Sequence, residues 1–239
     1  MDDLTFLTWN LALLERSAQA PMHWSQLDSE NAVRTFVLEA RPDVILYQEL
    51  PGLVPFVETH GMIRSNPLTH SGHLAVLLTH ELLATEPTTV TVDGGALLVS
   101  LDRHDLTIAN IHLAPGRQGR DRRFTTLEAI THASPTDRLL VVGDSNTRAA
   151  ELPAIAELGL RAPDLPAPTW DGRRNRFRRE GPRITAAFTR YFVRGDLDVV
   201  DVRVHTEPVA ADDGHPFHLS DHYALSGTAT GTSAGASLP

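Results

Sequence analysis

Asp144 and Asn146, two positions apart in Gly143-Asp144-Ser145-Asn146, pair a carboxylate with a carboxamide. The first only accepts hydrogen bonds and the second both donates and accepts, so together they could hold a water and an anionic oxygen side by side. The four aliphatic residues before them, Leu139 to Val142, read as a short buried strand that ends at Gly143, where the chain turns. Residues two apart in extended chain share a side, so both groups are expected to project into one space. Gly-Asp-Ser-Asn is also ordinary turn composition, and by itself the stretch reads more readily as a turn than as a site.

Polar groups recur at the ends of other expected strands. Leu4 to Asn10 is rich in β-formers and closes on Asn10. Asp43 to Glu49 is an apolar run closing on Glu49, and Leu106 to His112 closes on His112. Toward the C-terminus, Ser220-Asp221-His222 adds another acid and another imidazole. Each has an ordinary structural explanation: a turn residue, a charge solvated at the rim, a structural histidine. Their recurrence at strand ends, where α/β folds place their chemistry, is harder to explain that way.

Asn10, Glu49, His112, Asp144, Asn146, Asp221 and His222 offer oxygen and imidazole groups but no thiol. Hard oxygen ligands such as Glu49 suit Mg²⁺ or Mn²⁺ rather than zinc. Such an ion neutralises charge on a phosphoryl group and stabilises the leaving oxygen. A water held by Asp144 would attack in line, and a protonated histidine would donate to the transition-state oxygens. The sequence has no Gly-x-Ser-x-Gly elbow, so phosphoester hydrolysis fits it better than acyl transfer.

The elements that must position these groups are short. Helices are expected at 29–41, 53–59, 120–133 and 150–158. Further strands are expected at 73–79, 88–92, 96–101, 184–194 and 197–204. A long loop at 161–182 carries Thr169-Trp170-Asp171. Hairpin-like neighbours mixed with few helices suggest two packed sheets with helices outside. With 239 residues, 41% of them hydrophobic, the chain reads as a single domain over 1–228 and a small, polar, disordered tail over 229–239.

Cysteine is absent, which excludes disulfides, thiolate metal sites and a cysteine nucleophile. No apolar run is long enough for a membrane span, and the acidic start lacks the basic region of an export signal. A cytoplasmic monomer is the default expectation. The net charge of −9 argues against indiscriminate nucleic-acid binding. All 21 basic residues are arginine, however, with four in 117–123 and six in 173–183. The guanidinium fork suits phosphate oxygens, so at least one cluster is expected to face phosphate, with Arg120 and Arg178 as candidates.

Thr8-Trp9-Asn10, Tyr47-Gln48-Glu49, Ile111-His112-Leu113, Gly143-Asp144-Ser145-Asn146 and Ser220-Asp221-His222 occur in this order along nearly the whole chain. The pattern resembles the endonuclease/exonuclease/phosphatase superfamily. Within it the chain looks most like the 5′-tyrosyl-DNA phosphodiesterases, which also have matches to Thr169-Trp170-Asp171 and Ile184-Thr185-Ala186-Ala187.

That resemblance implies an α/β (α+β) fold: a deoxyribonuclease-I-like four-layer α/β/β/α sandwich of two mixed sheets flanked by helices. It implies a hydrolase, a Mg²⁺- or Mn²⁺-dependent phosphodiesterase or nuclease of the DNA-repair type, acting on single-stranded or end-frayed DNA. Asn10 and Glu49 would lie at the metal, with Asp221 in support. Asp144 would orient the water, Asn146 and His112 would contact the phosphate, and His222 would stabilise the transition state. Trp170 would line the substrate groove, where an indole face stacks on a base, although a loop aromatic capping the core is an equal reading.

One position departs from the pattern. The family usually has an aspartate, paired with the catalytic histidine, where this chain has Thr189. A hydroxyl holds an imidazole without favouring its charged form, so His222 is expected either to do without a carboxylate or to borrow another acid such as Asp196, Asp198 or Asp201. Two other functions share the fold: hydrolysis of a small-molecule or lipid phosphoester, and a catalytically weak binding module.

Overall fold

Strand β1 (Leu4–Asn10) buries all but one of its residues because it lies inside a sheet that is covered on both faces. In the computed structural model the residues described are 2–51, 57–64, 72–178, 183–211 and 214–231. After β1 come α1 (Gln26–Ala40), β2 (Val44–Leu50), β3 (His60–Arg64), β4 (His73–Thr79), the short α2 (His80–Leu83), β5 (Thr88–Val92), β6 (Ala96–Leu101) and β7 (Leu106–His112). Then follow α3 (Arg120–Ala133), β8 (Arg138–Asp144), α4 (Leu152–Ala156), β9 (Trp170–Asp171) and β10 (Thr185–Ala186). The chain closes with β11 (Thr189–Arg194), β12 (Leu197–His205), β13 (Val209–Ala210), β14 (Pro216–Phe217) and β15 (Ala224–Gly231).

Six strands form one sheet in the order β12-β15-β1-β2-β4-β3, and five form another in the order β11-β8-β7-β6-β5. Leu4, Phe6, Val44, Leu46, Val76, Leu97, Val99, Ile108, Leu140 and Val142 fill the space between them. The outer face of the first sheet packs Leu7 and Ile45 against Val33 and Val37 of α1. The outer face of the second packs Leu98, Ile111 and Val141 against Leu127 and Ile130 of α3. Full burial of each such side chain contributes about 1.5–3 kcal/mol. The four layers are those the resemblance implies.

Each sheet contains one parallel pair, β1 with β2 and β7 with β8, joined by α1 and α3 as crossover helices. Parallel neighbours end on the same edge, so Asn10 is paired with Gln48 and His112 with Asp144. The two sheets are pinned together just below these ends. Asn110 on β7 donates through Nδ2 to the carbonyls of Tyr47 and Ala75, both at 2.9 Å, and its Oδ1 accepts from Gln48 Nε2 at 2.7 Å. Gln48 also reaches Thr8 Oγ1 at 2.9 Å. All three side chains are fully buried, so these bonds are made where leaving them unmade would be most costly.

Several boundaries differ from expectation. Helix α1 starts three residues before the expected 29, where Ser25 and Asp28 form a capping box. The strand at 139–142 continues through Gly143 to Asp144. Gly143 does not end it: with φ at 140°, an added Cβ would lie 2.3 Å from the Ile111 carbonyl oxygen, so glycine is what lets β7 and β8 run side by side. The helix expected at 150–158 is α4 preceded by one tight turn, Ala149–Glu151. Most of the helix expected at 53–59 lies outside the described residues, and Val57 to Thr59 are not helical. Strand β15 carries the fold through Gly231, past the expected boundary at 228, because Leu225 to Ala229 pair with β1 and the strand up to Gly231 pairs with β12. Among the described residues no helix is long and apolar enough to cross a membrane.

Candidate active site

At the shared edge of the two sheets the strand ends converge on a cleft of about 490 Å³. Glu49, His112, Asp144, Asn146, Asp221 and His222 line it together with Trp170 and Arg178. Asn10 lies fully buried beneath it. Arg120 stands elsewhere: it is beside Asp121 at 3.9 Å and over the Phe124 ring at 5.0 Å.

Two of these residues are aimed by unusual backbone. Glu49 has φ at 49° and sits where the β2–β4 register shifts between Tyr47 and Leu50, a bulge that redirects its side chain. Asn146 has φ at 51°, a conformation asparagine tolerates well. Its backbone N–H donates to Asp144 Oδ1 at 3.2 Å, and its Nδ2 donates to the Leu113 carbonyl at 3.1 Å. Asp144 and Asn146 thus meet the cleft through this tight bend, not through the side-sharing of extended chain.

Asn10 is the hinge between the carboxylates. Its Nδ2 donates to Glu49 Oε1 at 3.1 Å and to Asp144 Oδ2 at 3.0 Å. Its Oδ1 accepts the Ala12 N–H at 2.9 Å, and that bond fixes which end of the amide faces the acids. His112 Nε2 lies 3.6 Å from Glu49 Oε1 and 3.5 Å from Asp144 Oδ2, and His222 Nε2 lies 3.6 Å from the same Asp144 oxygen. Among the described residues, histidines are the only charge partners of these two acids, and no arginine reaches them.

Two carboxylates are thus held close together, one of them 3% exposed, with two imidazoles and an amide around them. The ligand atoms of Glu49, His112 and Asp144 all lie within 4.8 Å of one another. The donor set fits a divalent cation. Asp221 is engaged differently, with Oδ2 bound to Arg178 Nε at 3.1 Å.

His222 is held on every side. Its Nδ1 lies 3.0 Å from Thr189 Oγ1, its carbonyl accepts from Trp9 Nε1 at 3.0 Å, and its N–H donates to Ser220 Oγ at 3.1 Å. Trp170 packs edge-on against the ring at 4.9 Å between centroids, so the indole is a wall of the cleft. Asp196, one of the expected substitutes for the missing acid, instead pairs with Arg138. Thr189 begins β11 and Asp196 lies beyond its far end, so the strand's length separates them.

Arg148, Asn175, Arg176 and Arg183 also line the cleft. Arg176 and Arg183 belong to the 173–183 cluster, whose Arg179 lies outside the described residues. Arg148 was not singled out from the sequence, although its place two residues after Asn146 was the available signal. Of the 117–123 cluster, Arg123 is fully buried. It bonds both Glu151 oxygens, at 3.1 and 2.6 Å, and the carbonyls of Ala114 and Gly116 at 2.7 and 2.8 Å. It braces the wall formed by Pro115 and Gly116 and does not itself line the cleft.

The architecture is the deoxyribonuclease-I-like fold of endonuclease/exonuclease/phosphatase proteins. Among solved structures it is similar to truncated TDP2 of Caenorhabditis elegans, with a TM-score of 0.68 at 19% identity over 95% of this chain and 98% of that one. It is also similar to D. rerio TDP2 complexed with single-strand DNA product, with a TM-score of 0.71 at 16% identity over 96% and 100% of the two chains. An endonuclease/exonuclease/phosphatase from Beutenbergia cavernae gives a TM-score of 0.62 at 16% identity over 98% and 73%. At these identities the likeness is one of fold. No protein-family model and no curated protein matches the sequence.

Proposed function

We propose that this protein is a divalent-metal-dependent phosphodiesterase that hydrolyses a phosphodiester at a nucleic-acid end by in-line attack of water. The observation that carries the reading is the meeting of Glu49, His112, Asp144, Asn146 and His222 at the base of one cleft that Arg148, Arg176, Arg178 and Arg183 also line. In a chain of net charge −9, arginines gathered there focus a positive potential on the site.

Glu49 would hold the cation beside His112 and Asp144, and the ion when bound supplies charge neutralisation at the phosphate and the leaving oxygen. Asn10 keeps the two carboxylates at a fixed separation through its bonds to both. Asp144 orients the attacking water and accepts its proton. Asn146 has spent one side-chain N–H on Leu113, and its second is available to a phosphate oxygen. His222 donates from Nε2 to the transition state, with Thr189 fixing the ring through Nδ1. Asp221 sets Arg178 at the rim.

Trp170 and Phe188, packed together at 5.9 Å, give the cleft an aromatic wall suited to a base or an aromatic leaving group. The single-strand DNA product in the D. rerio TDP2 structure supports a nucleic-acid substrate. A small phosphoester would leave most of the arginines without a role. The test is turnover on a single-stranded oligonucleotide end against salt. A nucleic-acid substrate should show KM rising steeply with salt, and Glu49→Ala and Asp144→Asn should each lose at least roughly 10²-fold in kcat. Salt-independent KM would favour the small phosphoester.

A further inference from the structure

We propose that a second cavity, which shares His222 with the cleft as a wall, is a binding site for an uncharged single-ring phenol whose occupancy bears on that histidine.

The cavity, about 140 Å³, lies where α1, β1, the end of β12 and the hairpin β13–β14 converge. Trp9, Leu219 and Ala224, all buried, give it an apolar lining, and Phe36 and Tyr223 add aromatic rings. The rings pack edge to face: Trp9 with Phe36 at 5.3 Å, Phe36 with His205 at 5.0 Å and His218 with Tyr223 at 5.2 Å between centroids. A further flat ring extends such an array favourably. An apolar cavity of about 150 Å³ takes up benzene, so this volume suits one ring and not two.

Two imidazoles supply the polar specificity. His205 meets Ser226 Oγ through Nε2 at 2.9 Å, which leaves its Nδ1 without a hydrogen bond among the described residues. Among those residues neither ring nitrogen of His218 makes one, and its contact with Tyr223 is through the ring. Burial holds both imidazoles toward the neutral form. A neutral imidazole carries a lone pair that accepts a phenolic O–H. Neither ring then offers a cation to an anionic ligand, and Glu207, on the same wall, is paired with Arg203 at 3.0 Å. A carboxylate buried there would go unpaired, which is costly.

The link to the active site is direct. His222 lines both cavities, and the indole N–H of Trp9 donates to the His222 carbonyl at 3.0 Å. A ring seated against Trp9 therefore presses on the contact that fixes His222.

The experiment is a fluorine NMR titration of the full chain with para-fluorophenol, para-fluorotoluene and para-fluorobenzoate. Nitrogen shifts of the protein carrying ¹⁵N-labelled histidine accompany it. We expect para-fluorophenol to bind roughly 3- to 10-fold more tightly than para-fluorotoluene, the difference one hydrogen bond makes, and para-fluorobenzoate not to bind. The ring nitrogens of His205, His218 and His222 should shift on binding, with His112 little changed. His218→Ala should bring phenol affinity down to that of the toluene. Val209→Phe, which fills the cavity, should abolish binding, whereas Trp170→Ala in the cleft should not. The histidine shifts locate the ligand in the unaltered protein even if Val209→Phe fails to fold. No binding, or equal affinities for the phenol and the toluene, would overturn the proposal. So would shifts confined to His112 and His222 with binding lost in Trp170→Ala, which would put the ligand in the cleft. None of these outcomes depends on turnover, so the proposal stands or falls separately from the phosphodiesterase reading.

Discussion

Thr189 Oγ1 lies 3.0 Å from His222 Nδ1, and Thr189 is itself paired in register with Asp144 across β11 and β8. The residue that orients the imidazole therefore sits directly opposite the carboxylate that faces it. Glu49 and Asp144 already place two negative groups in this small space, and a hydroxyl fixes the ring without adding a third.

Thr189→Val should leave Nδ1 buried without its partner. We expect kcat to fall about 10- to 100-fold with KM within about 2-fold, and Thr189→Ser to retain most of the activity. Steady-state kinetics on a chromogenic phosphodiester would check this. A Val variant as active as the parent would mean that the hydroxyl does no orienting.

The cleft arginines should act on binding and not on chemistry. Arg148→Ala, Arg176→Ala and Arg183→Ala are each expected to raise KM for an oligonucleotide and to lower the salt slope by about 1, with kcat little changed. Arg120→Ala, distant from the cleft, should do neither. Salt titration of binding, followed by fluorescence anisotropy, separates the two groups.

Arg123 and Glu151 form a buried pair, and removing one partner strands the other charge. Arg123→Met should cost about 3–5 kcal/mol, and adding Glu151→Met should recover part of that loss. Urea unfolding of the two single variants and the double variant reads the coupling directly. Additive losses would show that the pair is not a unit.

Burial is the main cause pushing the imidazoles of His60, His205 and His218 below their ordinary range. The unfolded chain takes up protons near pH ~6.5 that the folded chain refuses. Stability is therefore full above that pH and is lost as pH falls below it. His205→Gln, which can keep a bond to Ser226 Oγ, should flatten the decline between about pH 6.5 and 5. Denaturant midpoints across that range provide the check, and an unaltered slope would contradict the assignment.

Strand ends and their polar termini were legible in the sequence because short apolar runs closing on Asn10, Glu49 and His112 are local patterns. Helix α3 was legible to the residue, since Gly119 stands just before its start and Phe124, Leu127 and Ile130 recur on one face. What local pattern could not show is how side chains are aimed and paired. Glu49 reaches the cleft through a bulge, and Gly143 serves interstrand contact and not a turn. Asn10 presents nitrogen to the acids because a backbone N–H three-dimensionally claims its oxygen. The division of the arginines, with Arg123 bracing a wall while Arg148, Arg176 and Arg183 line the cleft, depends on tertiary packing. Strand β15 hid in a small, polar sequence because its burial comes from its neighbours β1 and β12.

The most direct test of the central claim is hydrolysis of a 5′-tyrosyl oligonucleotide by the full chain, with Mn²⁺ or Mg²⁺ and with the metal removed by chelation. The result expected is release of tyrosine only when the ion is present, abolished by Glu49→Ala and Asp144→Asn. A folded protein that shows no metal-dependent turnover on this substrate or on a chromogenic phosphodiester would contradict it.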